Sequence, residues 1–204
     1  MLNRICSGIS AGIMVSIGGC VFLACENRVV GALLFSVALL VICSRSFSLF
    51  TGKVGYLPEK HGKEEFSVLL LGLLGNLLGT LVCGVLIRTA LPNLGSAALT
   101  LCEAKLDQTA YSAFVRGLFC GILMYSAVSI YRSNGSIAGI IFCIPVFILS
   151  GFEHSIADIF YFAVSGIVSA KAFGFIWVVI LGNSVGGMLL PALSLVGKKD
   201  ESYA

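Results

Sequence analysis

Glu153 and His154 stand side by side in the middle of an apolar run, flanked by Ser150-Gly151 on one side and Ser155 on the other. Ionisable groups are costly to bury among apolar neighbours, so such a pair points to function when it faces a cavity or a partner. Imidazole exchanges protons near neutral pH, and the Ser-Gly step before it marks a helix break. A bare anion entering a low-dielectric medium loses many kcal/mol of solvation, whereas a protonated weak acid or a cation-paired anion escapes most of that penalty. A passage for small anions therefore needs a cation to draw them in and a proton-competent group, and His154 is the candidate for the second. Half-helix ends at a break add favourable N-terminal dipoles. The other chemistry open to a Glu-His pair is acid/base catalysis or metal ligation. With only two histidines, His61 lying in a connection, and no HExxH or other ligand cluster, the expectation is no enzyme, no metal and no other cofactor.

The elements that must hold this pair belong to a lipid-embedded chain. Of 204 residues, 58% are apolar and 11% charged, with a mean hydropathy of +1.02, where a soluble domain is typically about a quarter charged. A bilayer core about 30 Å thick takes roughly 20 apolar residues per helix, so six spans use about 120 residues and leave short connections with no room for a separate soluble domain. The formal charge of +3 is spread through the connections without aromatic clustering, which argues against a nucleic-acid partner. The eight cysteines show no CxxC pair or His-interleaved spacing and are read as small packing residues. Arg4 before an apolar run ending at Ala24-Cys25 resembles a signal peptide. The run from Ile5 to Cys25 is long enough to span, however, and has a counterpart later in the chain, so it is read as a helix.

Apolar runs near 5–25, 29–50, 66–90, 110–131, 137–163 and 174–196 are the expected spans. The second and fifth read as broken helices, at Leu49-Phe50-Thr51-Gly52 and at Gly151-Phe152-Glu153-His154. The halves also resemble one another. Leu74-Gly75-Asn76-Leu77-Leu78-Gly79 recurs as Leu181-Gly182-Asn183-Ser184-Val185-Gly186 (182 − 75 = 107), and Gly8 with Gly12 recurs as Gly117 with Gly121 (117 − 8 = 109). Three spans per half is odd, so a duplicated half enters from the opposite side: residues 1–100 and 101–204 are expected to form two inverted three-helix repeats of one all-α membrane domain, the broken helices meeting near the midplane. With both termini cytoplasmic, Arg4, Lys53, Lys60, Lys63, Arg132, Lys198 and Lys199 lie inside against Arg28, Arg88, Lys105, Arg116 and Lys171 outside, seven against five.

The segment Ser150-Gly151-Phe152-Glu153-His154-Ser155-Ile156-Ala157 resembles the hallmark of the formate/nitrite transporter family. Leu49-Phe50-Thr51-Gly52 is similar to the loop of that family's broken second helix, Phe114 to Cys120 to its fourth-helix motif, and both Gly-Asn-x-x-Gly segments to its third and sixth helices. The resemblance runs along nearly the whole chain. It implies an aquaporin-like six-helix fold in the inner membrane, assembled as a homopentamer with one pore per protomer. The implied substrate is formate, nitrite, hydrosulfide or a related small anion or weak acid, with or without an accompanying proton.

On this resemblance the central histidine is His154, the glutamate before it Glu153, the loop threonine that can hydrogen-bond the histidine Thr51, and the lysine that draws anions inward Lys105. The implied constrictions are Phe35, Leu39 and Leu49 at one level and Phe147 at the other, with Met124 where a constriction valine is common; Gly52, Gly151, Asn76 and Asn183 mark the breaks and the repeat. The chain departs from the pattern at Gly121 (usually Asn), Asp158 (usually Asn) and Ser48 (usually acidic), and Arg45 and Lys53 add cations near the first break. A water or glycerol channel would need paired Asn-Pro-Ala loops, and none of the prolines at 58, 92, 145 and 191 follows an asparagine. A membrane enzyme using Glu153 and His154, or a non-transporting structural or regulatory protein of the same fold, are the other classes weighed.

Overall fold

The computed structural model describes residues 1–201, with side chains through Gly197; Lys198 and Lys199, counted in the orientation argument, carry side chains outside the described residues. The described chain is helical: α1 (Leu2–Ala24), α2 (Arg28–Ser44), α3 (Phe50–Lys53) continued by a 3₁₀ turn (Val54–Tyr56), α4 (Lys63–Ala90), α5 (Pro92–Leu106), α6 (Ala110–Asn134), α7 (Ala138–Leu149), α8 (Ser155–Ser165) and α9 (Ala170–Glu201). Four of these, α1, α4, α6 and α9, are long and apolar enough to cross a membrane. At 1.5 Å per residue even α1, with 23 residues, reaches about 34 Å. Leucines and valines of α4 such as Leu74, Leu78, Val82 and Val85 are exposed, as suits a surface facing lipid or another membrane helix.

Close backbone approach pairs the long helices. A Cβ added at Gly75 would run into the Ile5 carbonyl of α1, and one at Gly182 into the Phe114 carbonyl of α6. Gly121 is explained in the same way, since a Cβ there would strike the Asn183 carbonyl of α9. With Gly182 and Gly186 it lets α6 and α9 touch.

Between these pairs lie two interrupted helices whose breaks use the same backbone bonds 105 residues apart. At the first, the Phe47 N–H donates to the Ile42 carbonyl (2.9 Å) around Ser46 at φ 55°; at the second, the Phe152 N–H donates to the Phe147 carbonyl (3.0 Å) around Gly151 at φ 70°. Both are left-handed helix ends closed by a six-to-one bond. Glycine adopts that conformation freely, whereas Ser46 is held in it against its own Cβ.

Two asparagines then tie each loop to a long helix. The Asn76 amide donates to the carbonyls of Gly8 and Ser48, both at 2.8 Å, and its Oδ1 accepts from the Phe50 N–H at 2.9 Å. The Asn183 amide donates to the carbonyls of Gly117 and Glu153, both at 2.8 Å, and its Oδ1 accepts from the Ser155 N–H at 2.9 Å. Each asparagine thus satisfies two backbone groups that the break leaves without helical partners and ties them to a carbonyl of α1 or α6.

Two expectations need correction. The second run does not stay helical to residue 50: α2 stops at Ser44 and only four residues of α3 follow the loop, because the left-handed turn at Ser46 consumes the segment. The stretch after residue 90 is not a short connection but α5, fifteen residues started by Pro92 in its first turn, which folds back onto α8.

Candidate functional site

His154 caps α8. Its Nδ1 accepts from the Ala157 N–H at 3.2 Å, so the neutral ring carries its proton on Nε2 and donates it to Thr51 Oγ1 at 2.8 Å. That bond joins the two breaks, since Thr51 sits on α3. Phe147, one turn before the second break, stacks on the imidazole with centroids 5.8 Å apart, and Phe35 of α2 meets Phe147 edge-on at 6.2 Å. Leu39 stands four residues, about 6 Å, further along α2 than Phe35, and together with Leu49 it borders the same narrow space as Phe35 and Phe147.

Three cavities lie in series. One, about 390 Å³, is lined by Arg28, Lys105, Arg116, Phe147, His154 and Asp158 among others. A second, about 210 Å³, is lined by Leu39, Leu49, Gly52, Lys53 and Arg132 among others. Between them a space of about 10 Å³ is bounded by Phe35, Leu39, Leu49, Met124, Phe147 and His154. It shares Phe35, Phe147 and His154 with the first cavity and Leu39 and Leu49 with the second. Because Arg28 opens α2 and Cys43 nearly closes it, the two larger cavities lie at opposite ends of that helix. The middle space holds about one water, too little for a hydrated ion.

Lys105, in the last turn of α5, does not stand free as a lure. Its ammonium pairs with Glu153 and with Asp158 Oδ1 at 2.9 Å, and it lies 5.8 Å from the Tyr161 ring centre. Gln108 Nε2 donates to the other Glu153 oxygen at 2.7 Å. All three groups are enclosed, with exposures of 8% for Lys105, 3% for Glu153 and 1% for Asp158, and Asp158 Oδ2 has no hydrogen-bond partner among the described residues. One cation against two carboxylates is formally −1, and two ions that must leave water together are held only by good mutual geometry.

Of the residues singled out in the sequence, His154, Thr51, Glu153, Lys105, Phe35 and Phe147 converge here, Leu39, Leu49 and Met124 line the narrow space, and Gly52, Gly151, Asn76 and Asn183 build the breaks. Asp158 was noted only as a departure, although a carboxylate inside an apolar run is itself a signal. Gln108, Tyr161 and Arg132 were missed as site residues; Gln108 follows α5 and carries no pattern of its own. The eight cysteines are all free thiols.

A model of the family described as "Formate/nitrite transporter" matches residues 1–197. The chain is 31% identical over 148 residues to the uncharacterized transporter YwcJ of Bacillus subtilis (strain 168), covering 66% of this chain and 58% of that protein. It is 28% identical over 181 residues to the nitrite transporter NirC of Escherichia coli (strain K12), covering 78% of this chain and 67% of that protein. Among solved structures it resembles an "FNT family ion channel" with a TM-score of 0.82 at 22% identity, over 97% of this chain and 88% of the other. It also resembles a "Pentameric formate channel with formate bound", TM-score 0.78 at 25% identity, over 95% of each. With a family model over all but its last seven residues, the chain belongs to the formate/nitrite transporter family.

Proposed function

We propose that each protomer passes a small monovalent anion of the formate, nitrite or hydrosulfide class, or its weak acid, between the two larger cavities past His154. The observation that carries this reading is the imidazole itself. It is buried where the Lys105 cavity narrows to a one-water space, and it is bonded to Thr51 across the two breaks. An anion entering that space must shed water. An Nε2–H donor shared with Thr51 can turn toward the anion, or the doubly protonated ring can pass it the second proton and return to neutral, masking charge where apolar rings supply no compensation.

The matched bonds at Ser46/Gly151 and Asn76/Asn183 support reading the domain as six spans in two inverted halves, with helices two and five broken. On that reading both termini are cytoplasmic, the protein sits in the inner membrane, and the Lys105 cavity faces outward. Likeness to a pentameric formate channel supports a homopentamer with one pore per subunit. Glu153 holds Lys105 and its backbone carbonyl anchors the break; Lys105 meets the anion; Phe35 with Phe147, and Leu39 with Leu49 and Met124, exclude hydrated ions.

Flux into proteoliposomes tests this. Purified protein should speed entry of formate, nitrite or hydrosulfide with little effect on glycerol, and His154→Ala should lower that flux or change its pH dependence with the oligomer intact. Wild-type protein that moves none of these anions across a pH series would refute the proposal.

A further inference from the structure

The two breaks share a backbone but not their charges. Positions equivalent by the 105-residue offset are Ser48 with Glu153 (153 − 48 = 105) and Lys53 with Asp158 (158 − 53 = 105). Their equivalence is physical, because Asn76 binds the carbonyl of Ser48 as Asn183 binds that of Glu153. One break therefore presents two carboxylates that occupy Lys105, while the other presents a hydroxyl and a lysine.

Lys53 Nζ donates to Ser48 Oγ at 2.9 Å, and among the described residues it forms no ion pair. It lines the 210 Å³ cavity together with Arg132, whose guanidinium lies 4.3 Å from the Tyr56 ring centre. Among the described residues no carboxylate lines that cavity; its polar lining is Lys53, Arg132, Ser46, Cys43 and Tyr131. On the far side of the same two cations runs a groove with Lys60, Glu64 and Glu65, and Glu64 is turned to Arg4 at 2.6 Å. The inner end of the cavity is closed by Leu39 and Leu49, which also bound the one-water space. A low-dielectric wall behind a pair of cations concentrates small anions at that point.

We infer that Lys53, positioned by Ser48 Oγ, and Arg132 form a second anion-binding site at the mouth of the pore remote from Lys105, taking a small monovalent oxyanion or hydrosulfide just before the Leu39/Leu49 constriction. The site rests on the transport reading for its purpose, but not for its binding. Since Lys105 is occupied by two carboxylates and Lys53 by none, the Lys53 mouth holds the anion more tightly.

Formate and nitrite uptake into proteoliposomes tests the site through its KM, its maximal rate and its dependence on ionic strength. Lys53→Gln and Arg132→Gln should each raise KM about tenfold and flatten the salt dependence, with maximal rate within about twofold. Lys53→Arg should retain wild-type KM, and Lys63→Gln, an equal charge change on an exposed residue outside the cavity, should leave both parameters unchanged. Unchanged KM in Lys53→Gln and Arg132→Gln overturns the inference while the transport reading stands. If wild-type protein carries no flux, the transport reading fails and binding decides separately. Nitrite should then raise the unfolding temperature of the purified wild type and of Lys63→Gln but not of Lys53→Gln, and equal protection of all three overturns the site.

Discussion

Replacing Asp158 with asparagine should strengthen anion uptake. The substitution keeps shape and volume but removes one of the two negative charges on Lys105, leaving that ammonium still paired with Glu153, so the fold is not asked to bury an unpaired cation. An anion meeting Lys105 Nζ from the cavity, on the side away from Asp158, would lie at the 2.9 Å of the existing contact plus a second contact of similar length, roughly 6 Å from the carboxylate. At an effective dielectric of about 20 the repulsion removed is about 3 kcal/mol, and water in a cavity of about 390 Å³ reduces this to roughly half. About 1.4 kcal/mol is tenfold in affinity. Stopped-flow entry of nitrite or formate into proteoliposomes should therefore show KM falling about tenfold in Asp158→Asn, with a smaller change in maximal rate. If KM is unchanged or rises, Asp158 does not oppose the anion, and the view of Lys105 as a cation held back by its carboxylates is wrong.

Lys105→Ala should behave differently from the loss of a surface charge. It leaves Glu153 and Asp158 enclosed without a cation, at a cost of about 3–5 kcal/mol, read as a lower unfolding temperature of the detergent-solubilised protein and partly restored by adding Asp158→Asn. Wild-type stability in the single variant would show that the triad does not hold the site together. Asn183→Ala and Asn76→Ala each strip three bonds of about 1 kcal/mol from buried backbone, so each should lower stability by at least about 3 kcal/mol, and a much smaller loss in either would deny it the tying role. Ser46→Gly should stabilise by about 1 kcal/mol because it relieves a left-handed serine, while Gly151→Ser should lose about as much; thermal unfolding of the pair checks both signs.

What could be read from the chain divides along the same line as its chemistry. Gly8, Gly12, Asn76 and their later counterparts were legible because helix contacts and break-tying bonds demand particular small or amide residues at fixed helical spacing. His154 and Glu153 were legible because a polar pair is conspicuous in an apolar run. The clamp on Lys105 was not legible, since it exists only after α5 folds back onto α8, and the segment 91–109 lacks the long apolar run that marks a membrane helix. Neither was the partnership of Phe35 with Phe147, which depends on how α2 meets α7 rather than on order along α2. The changing offset shows where the two halves were free to differ. It falls from 109 between α1 and α6 to 105 between the breaks, a difference of four residues, about one helical turn of 3.6, and then rises to 107 at Asn76 and Asn183. Length changes of this kind lie between the anchoring residues and leave every anchored backbone bond in place. With the backbone bonds of the two breaks matched so closely, the breaks differ in their side chains: a serine and a lysine at one, a glutamate, a histidine and an aspartate at the other. On the proposed transport reading, matched breaks with unlike charges give the path two unlike ends, with Lys53 unpaired among the described residues at one and His154 near the clamped Lys105 toward the other.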